Sequence, residues 1–209
     1  MKTIKVVITG GSGDIAVAIA NELKNNTEKQ YEILLPGRNE LDVTNIEMVN
    51  QYFEKTCPDI LINNAGAILL EKISLNNIKN HKQVIDVNLT GVFACTGAVL
   101  QKNPNAKIIN IGSSAGTKVH GEWSSYCATK SAVIMATKCW AEEGVDTICL
   151  SPGRTVTKMR KSMYPDENPN TLMRPEDFAV VVRQAIEDKY EKGVNLDVNL
   201  NNVKELINE

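Results

Sequence analysis

The sequence predicts an α/β fold, doubly wound, with a mostly parallel sheet and helices on both faces. Short apolar runs alternate with stretches of helical periodicity along the whole chain, which is the pattern of βαβ units. Glycine, proline or asparagine follows most of the apolar runs directly, at the carboxyl ends where such sheets hold ligands. The 209 residues suit one domain, residues 1–209, with a core large enough to need no metal or disulfide.

Residues 4–9 are a short apolar run stopped by glycines, which suits a buried strand. In residues 13–24, Ile15, Ala16, Ile19, Ala20 and Leu23 recur at helical spacing. Residues 32–35 read as a second strand closed by Pro36-Gly37, and residues 47–55 as a helix. Residues 59–63 form another buried strand. Residues 82–102 carry the longest helical pattern. Residues 107–111 are a strand, 126–140 a helix, and 147–150 a strand closed by Ser151-Pro152-Gly153. Pro175 opens a helix to about residue 190, and residues 195–198 make a last short strand. One stretch breaks the pattern. Only six residues separate Leu35 from Asp42, whereas a parallel crossover needs about a dozen or more. The helix between strands two and three is therefore missing, and residues 41–43 are a vestigial edge strand or an extended wall.

Bulk properties exclude several classes. A formal charge of −2 supplies no electrostatic reason for a nucleic-acid or membrane partner. The five cysteines, Cys57, Cys95, Cys127, Cys139 and Cys149, are odd in number and contain no C-x-x-C pair. No metal site is expected, and free thiols suit the cytoplasm. Glycines end the first apolar run too soon for a signal peptide or a membrane span.

The chemistry lies in five motifs. In TGGSGDIA, residues 9–16, Gly10, Gly13 and Ala16 sit between strand and helix. Glycine lets backbone approach a pyrophosphate, and the helix N-terminus offers free N–H groups. Thr9, Gly10, Ser12, Gly13, Asp14 and Ile15 are expected around a dinucleotide, although the Asp14 charge would repel phosphates. In Pro36-Gly37-Arg38, Gly37 stands where an NAD-selecting acid is expected, and Arg38 suits a 2′-phosphate, so NADP(H) is favoured over NAD(H). Asn64, Ala65 and Gly66 follow a buried strand and are small enough to pass the adenosine half. Tyr126 and Lys130 share a helix face, where an ammonium lowers a phenol's pKa and makes it a usable acid/base. Ser113, thirteen residues before Tyr126 and just past a strand, can hydrogen-bond a reacting oxygen. Pro152, Gly153, Thr155 and Thr157 form a wall against nicotinamide, with Thr157 bonding its carboxamide.

Together these residues resemble the short-chain dehydrogenase/reductase family, with its Rossmann-like fold, and most closely its compact members such as 3-oxoacyl-carrier-protein reductases. The likeness runs through TGGSGDIA, NNAG, DVNLTG, the Ser113–Tyr126–Lys130 set, PGRTVT and RPED. It implies hydride transfer between nicotinamide and a small-molecule carbonyl or alcohol. It further implies that Tyr126 exchanges the proton, Lys130 lowers the Tyr126 pKa and binds the nicotinamide ribose, and Ser113 orients the substrate oxygen. Asn88 is implied in holding a relay water, and Asp42 and Val43 in contacting adenine. Asp14 and Ala16 replace glycines of the family motif, and the missing helix is more like dTDP-sugar reductases. The resemblance implies a homodimer or homotetramer through residues 82–102 and the helix after Tyr126, which is about one turn short. Residues 158–173 are short for a substrate lid; Met159, Arg160, Lys161, Met163 and Tyr164 read as a solvated loop or as a wall admitting an anionic substrate.

Two alternatives belong to other classes. A non-catalytic NADP-sensing protein would not need Ser, Tyr and Lys together. A nucleotide-sugar epimerase or reductase-like enzyme usually carries a substantial C-terminal domain, and only 56 residues follow Gly153.

Overall fold

Six of the apolar runs become strands in the computed structural model, which is described here for residues 3–208. They are β1 (Ile4–Ile8), β2 (Tyr31–Leu34), β3 (Ile60–Asn63), β4 (Lys107–Ile111), β5 (Thr147–Pro152) and β6 (Asn195–Val198). All pair in parallel, in the order β2-β1-β3-β4-β5-β6. The chain winds outward from β1 in both directions, so the order reverses beside β1. Such a reversal opens a crevice at the carboxyl edge of the sheet.

Alternation along each strand divides the core into two layers. Val6, Ile8, Ile62 and Ile109 face one side, where they pack with α1 (Asp14–Lys24), through Ile19 and Leu23. The same layer takes Phe178 and Val182 from the later helix Pro175–Ile186. Val7, Leu61 and Ile108 face the other side, against Val49 and Phe53 of α2 (Ile46–Thr56) and Cys95 and Val99 of the long central helix. With both faces covered, β3 is buried at every position and shows no polar alternation.

The long helix begins earlier than its periodicity suggests. A 3₁₀ turn, Leu75–Asn77, runs into α3 (Ile78–Ile85), a π turn at Asp86–Thr90 and α4 (Gly91–Lys102). Its start is set by a reciprocal cap: the Asn76 N–H donates to Ser74 Oγ at 3.1 Å, and the Ser74 N–H to Asn77 Oδ1 at 3.0 Å. The 28 residues are long and apolar enough to cross a membrane by length and composition alone, but Val92, Cys95 and Val99 are buried in the core layers. α5 (Ser124–Glu142) also extends beyond the expected limits, while α7 (Pro175–Ile186) stops four residues before Tyr190. Two short helices were not foreseen: α6 (Lys158–Met163) and, near the end of the described chain, α8 (Val203–Asn208). α6 lies inside the segment read as a loop or wall and starts where the Arg160 N–H donates to Thr157 Oγ1 at 3.0 Å.

Residues 41–43 make no strand. They form a wall, with Leu41 and Val43 buried against the α2 and α4 layer, but not an extended one: Val43 lies in a turn in which the Asn45 N–H donates to the Asp42 carbonyl at 2.9 Å. Residues 36–41 hold no helix, as their number requires.

A buried polar ladder joins the sheet to its helices. Asn63 Nδ2 donates to Thr96 Oγ1 of α4 at 3.0 Å and to Asn110 Oδ1 of β4 at 2.9 Å. Asn110 Nδ2 donates to Thr137 Oγ1 of α5 at 2.9 Å, and that hydroxyl donates to the Val133 carbonyl at 2.8 Å. Each of these amides is paired, so their burial is tolerated. Asn110→Leu should therefore cost about 1–3 kcal/mol in urea unfolding, because it takes away one of the two acceptors of the Asn63 amide and the bond that ties Thr137 of α5 to β4. A loss below about 0.5 kcal/mol, the range of an ordinary surface change, would show that the ladder does not hold the layers.

Candidate active site

The carboxyl ends of β1, β3, β4 and β5 open onto one cleft of about 450 Å³. Its walls contain fifteen of the residues singled out from the sequence: Gly10, Ser12, Gly13, Asp14, Ile15, Arg38, Asp42, Val43, Asn64, Ala65, Gly66, Tyr126, Lys130, Pro152 and Thr157. Ser113, Gly153 and Thr155 line an adjoining cavity of about 190 Å³ instead. Tyr126 lines both spaces. Thr9 and Asn88 lie beneath the cleft, almost fully buried.

The loop after β1 is built by close approach. Gly10 has φ +66°, and a Cβ there would sit 2.9 Å from the Ala65 Cα. A Cβ on Gly11, which the motif reading passed over, would run into the Leu35 backbone. Thr9 Oγ1 accepts from the Asn64 and Ala65 N–H groups, both at 3.0 Å, and Asn64 Nδ2 donates to the Thr9 carbonyl at 2.9 Å. Thr9 and Asn64 thus stitch the two loops together below the cleft floor. Gly13 is the N-cap of α1 and supplies no side-chain cap, so the first-turn N–H groups are left for an anion.

Asp14 does not spoil this cradle. Its Oδ2 accepts from the Lys158 N–H at 2.6 Å, and Lys158 Nζ lies 3.8 Å from Oδ1. The charge is directed to the start of α6 and partly neutralised there. The phosphate repulsion expected from the sequence is correspondingly offset.

At the far end of the cleft, Arg38 Nε donates to Asp42 Oδ2 at 3.0 Å, with the Arg38 side chain 71% exposed. Asp42 also accepts from the Thr44 hydroxyl at 2.7 Å and the Thr44 N–H at 3.0 Å. These bonds, the Thr44 hydroxyl foremost, then the Thr44 N–H and then Arg38, hold the Asp42 carboxyl below its usual range.

On the opposite wall, α5 carries Tyr126 and Lys130 one turn apart. Lys130 Nζ donates to the Ile111 carbonyl at 2.7 Å and stands 5.8 Å from the Tyr126 ring centre. Burial pushes the Lys130 ammonium down to about 8, opposed by the Cys149 sulfur. Burial also pushes the Tyr126 phenol up, opposed by its hydrogen bond with Ser113 and reinforced by Cys127. The direction differs from the lowering expected from the Tyr126–Lys130 spacing, because burial is the largest influence on the phenol and favours its neutral form. Cys149, behind Lys130, is pushed up to about 11 by burial and stays a thiol.

Asn88 sits in the π turn, where its Oδ1 accepts from the Ala67 N–H at 2.7 Å and its Nδ2 donates to the Ala67 carbonyl at 2.8 Å. A longer contact, 3.3 Å, reaches Thr129 Oγ1 of α5. Asn88 therefore ties the loop after β3 to the helix of Tyr126 and Lys130. The motif reading also missed Gly112, where a Cβ would run into Ser151 Oγ, as well as His120, Trp123 and Arg154 on the second cavity. Gly112 directly follows β4, so the carboxyl-end rule could have found it. Among the described residues, no group of His, Cys, Asp and Glu could hold a metal ion.

A glycine cradle before a helix N-terminus, at the reversal of a parallel sheet, defines a nucleotide-binding fold of the Rossmann type. The chain belongs to the short-chain dehydrogenase family, whose model matches residues 4–168. An uncharacterized oxidoreductase of Staphylococcus saprophyticus is 30% identical over 204 residues, covering 92% of this chain and 84% of the relative. A small-chain dehydrogenase crystallised with NADPH superposes with a TM-score of 0.82 at 21% identity, covering 94% of this chain and 97% of the other. 4-Hydroxyisoleucine dehydrogenase complexed with NADH superposes with a TM-score of 0.75 at 26% identity, covering 93% and 96%. The chain is an oxidoreductase enzyme.

The burial of Lys130 has a measurable consequence in the protein without nucleotide. Its pKa falls from 10.5 unfolded to about 8 folded, so between those values the unfolded chain binds more protons and stability rises with pH. Lys130→Met should be the more stable form at pH 7, by an amount on the order of 3 kcal/mol. The gap should close as pH rises from about 8 to about 10.5, the interval between the two values. Denaturant melts across that range check it. A gap that is absent or constant would mean that the ammonium is not buried at a cost.

Proposed function

We propose that the enzyme transfers a hydride between NADP(H) and a small-molecule carbonyl or secondary alcohol, with Ser113, Tyr126 and Lys130 as the catalytic set. One observation carries the reading: Tyr126 stands on the border of the two cavities, with Ser113 lining the second of them and Lys130 one turn behind on the same helix, 5.8 Å from the ring centre. The cofactor supplies the hydride at its nicotinamide ring. A neutral Tyr126 donates the accompanying proton to the carbonyl oxygen, which suits the reducing direction at neutral pH. Ser113 donates a second hydrogen bond to that oxygen as negative charge develops. Lys130 holds the nicotinamide ribose and, with a pKa near neutrality, can return a proton to Tyr126. Asn88 sets the approach of the Ala67 loop and supports the water that feeds this relay.

Gly10, Ser12, Gly13, Asp14, Ile15, Asn64, Ala65 and Gly66 surround the pyrophosphate and adenosine, above Thr9. Asp42 and Val43 border the adenine. Pro152, Gly153, Thr155 and Thr157 back the nicotinamide. NADP(H) is favoured over NAD(H) because Arg38 commits only its Nε to Asp42 and keeps both terminal nitrogens for a 2′-phosphate. We further propose that residues 1–209 act as one catalytic domain of the compact kind seen in 3-oxoacyl-carrier-protein reductases. Its free thiols suit the cytoplasm. Exposed Phe93 and Met135, with Phe93 packed edge-on against Trp140, offer a face for a homodimer or homotetramer. No nucleic-acid or membrane partner is part of this reading.

Tyr126→Phe removes the proton donor alone. It should cut turnover by about 10²–10⁴ and change NADPH affinity by no more than a few-fold. Steady-state rates and fluorescence titration check this, and retention of half the wild-type rate refutes the role. Arg38→Ala should weaken NADPH by roughly ten- to hundred-fold, the worth of a charge-assisted bond, and NADH by far less. Equal losses for the two cofactors would remove Arg38 as the selector.

A further inference from the structure

The second cavity carries charge of one sign. Its walls hold Arg154 and Arg160 and, among the described residues, no aspartate or glutamate. The apolar part comes from Trp123 and Tyr164, whose ring centres are 6.5 Å apart. A volume of about 190 Å³ equals roughly six waters at ~30 Å³ each, which suits the body of a small molecule.

The two arginines are held differently. Arg160 donates to both oxygens of Glu167, at 2.6 and 2.8 Å, and its guanidinium lies 4.2 Å over the Tyr164 ring. That bidentate bond and the ring fix it as part of the wall. Arg154 makes one longer bond, from Nη1 to Glu167 at 3.2 Å, and its side chain is 59% exposed. Two guanidiniums share one carboxylate, so a positive charge is left over beside the space that meets Tyr126.

We infer that the substrate is a small aldehyde or ketone bearing a carboxylate or phosphate, and that Arg154 grips this anion while the carbonyl lies at Tyr126 and Ser113. The inference rests on the hydride-transfer reading above and adds the substrate class. Arg154 is the specificity residue, and Arg160 and Glu167 position it. Glu167 keeps the guanidinium oriented before substrate arrives, and its single bond to Arg154 can be given up for two to the substrate.

The test uses three matched pairs with NADPH: levulinate and methyl levulinate, benzoylformate and methyl benzoylformate, dihydroxyacetone phosphate and dihydroxyacetone. The anion of at least one pair should have a kcat/KM about tenfold or more above its neutral partner, carried in KM. The pair that responds distinguishes carboxylate from phosphate. Arg154→Gln should bring that ratio to near one, with Arg154→Lys retaining part of it. If none of the six is turned over, calorimetric binding of the same compounds to the NADP⁺ complex decides. Tighter anion binding that is lost in Arg154→Gln supports the inference. Ratios at or below one, or equal losses for both members of a pair, overturn the anion assignment. Failure of the underlying reading is seen separately, as turnover that survives Tyr126→Phe.

Discussion

A lysine ammonium buried with, among the described residues, no carboxylate in ion-pair contact is the constraint around which this cleft is organised. Burial of an unpaired charge is unfavourable, and Lys130 meets it with a 2.7 Å bond to the Ile111 carbonyl and a lowered pKa. That bond can form only if α5 comes close to the end of β4. Gly116 permits the approach, since a Cβ there would lie 2.6 Å from Ile134 Cδ1 and 3.0 Å from the Lys130 carbonyl carbon. The polar ladder from Asn63 through Asn110 to Thr137 fixes the same helix to the same strand. An arrangement that lowers stability while tuning a proton-carrying group is what a catalytic site leads one to expect.

Both arginines proposed to read anions share a local design. Arg38 is held by Asp42, and Arg154 by Glu167, each through one nitrogen. Both carboxylates are held below their usual range, Asp42 mainly by Thr44 and Glu167 mainly by Arg160, so they remain charged through neutral pH. An arginine held in this way is oriented in advance but not saturated. A phosphate or carboxylate then meets a fork already in place, with less side-chain entropy to lose.

Much of this was legible in the sequence, and the physical reason is locality. The strands were visible because both faces of a parallel sheet are covered, which leaves unbroken apolar runs such as residues 60–62. The cradle was visible because close backbone approach demands glycine at Gly10. What could not be read depends on partners distant in the chain. The Asp14 charge looked hostile to phosphate until Lys158, 144 residues away, proved to hold it. The choice between strand and wall at residues 41–43 was decided by packing of Leu41 and Val43 against the α2 and α4 layer. The early start of α3 and the existence of α6 rest on caps from Ser74 and Thr157, short polar signals that apolar periodicity does not register. The Tyr126–Lys130 spacing was read rightly as one shared face, but spacing carries no information on burial, and burial decides the direction of the tyrosine's shift.

The account turns on Tyr126 as a neutral acid whose proton affinity responds to a bound nicotinamide. Its ionisation can be isolated as the ultraviolet difference between wild type and Tyr126→Phe through an alkaline titration, with and without NADP⁺. The expected result is an apparent pKa above 10 in the free enzyme, where burial dominates, and a clear fall when the positively charged ring binds beside it. A free-enzyme value already below 10, or one that NADP⁺ leaves unchanged, would contradict the account.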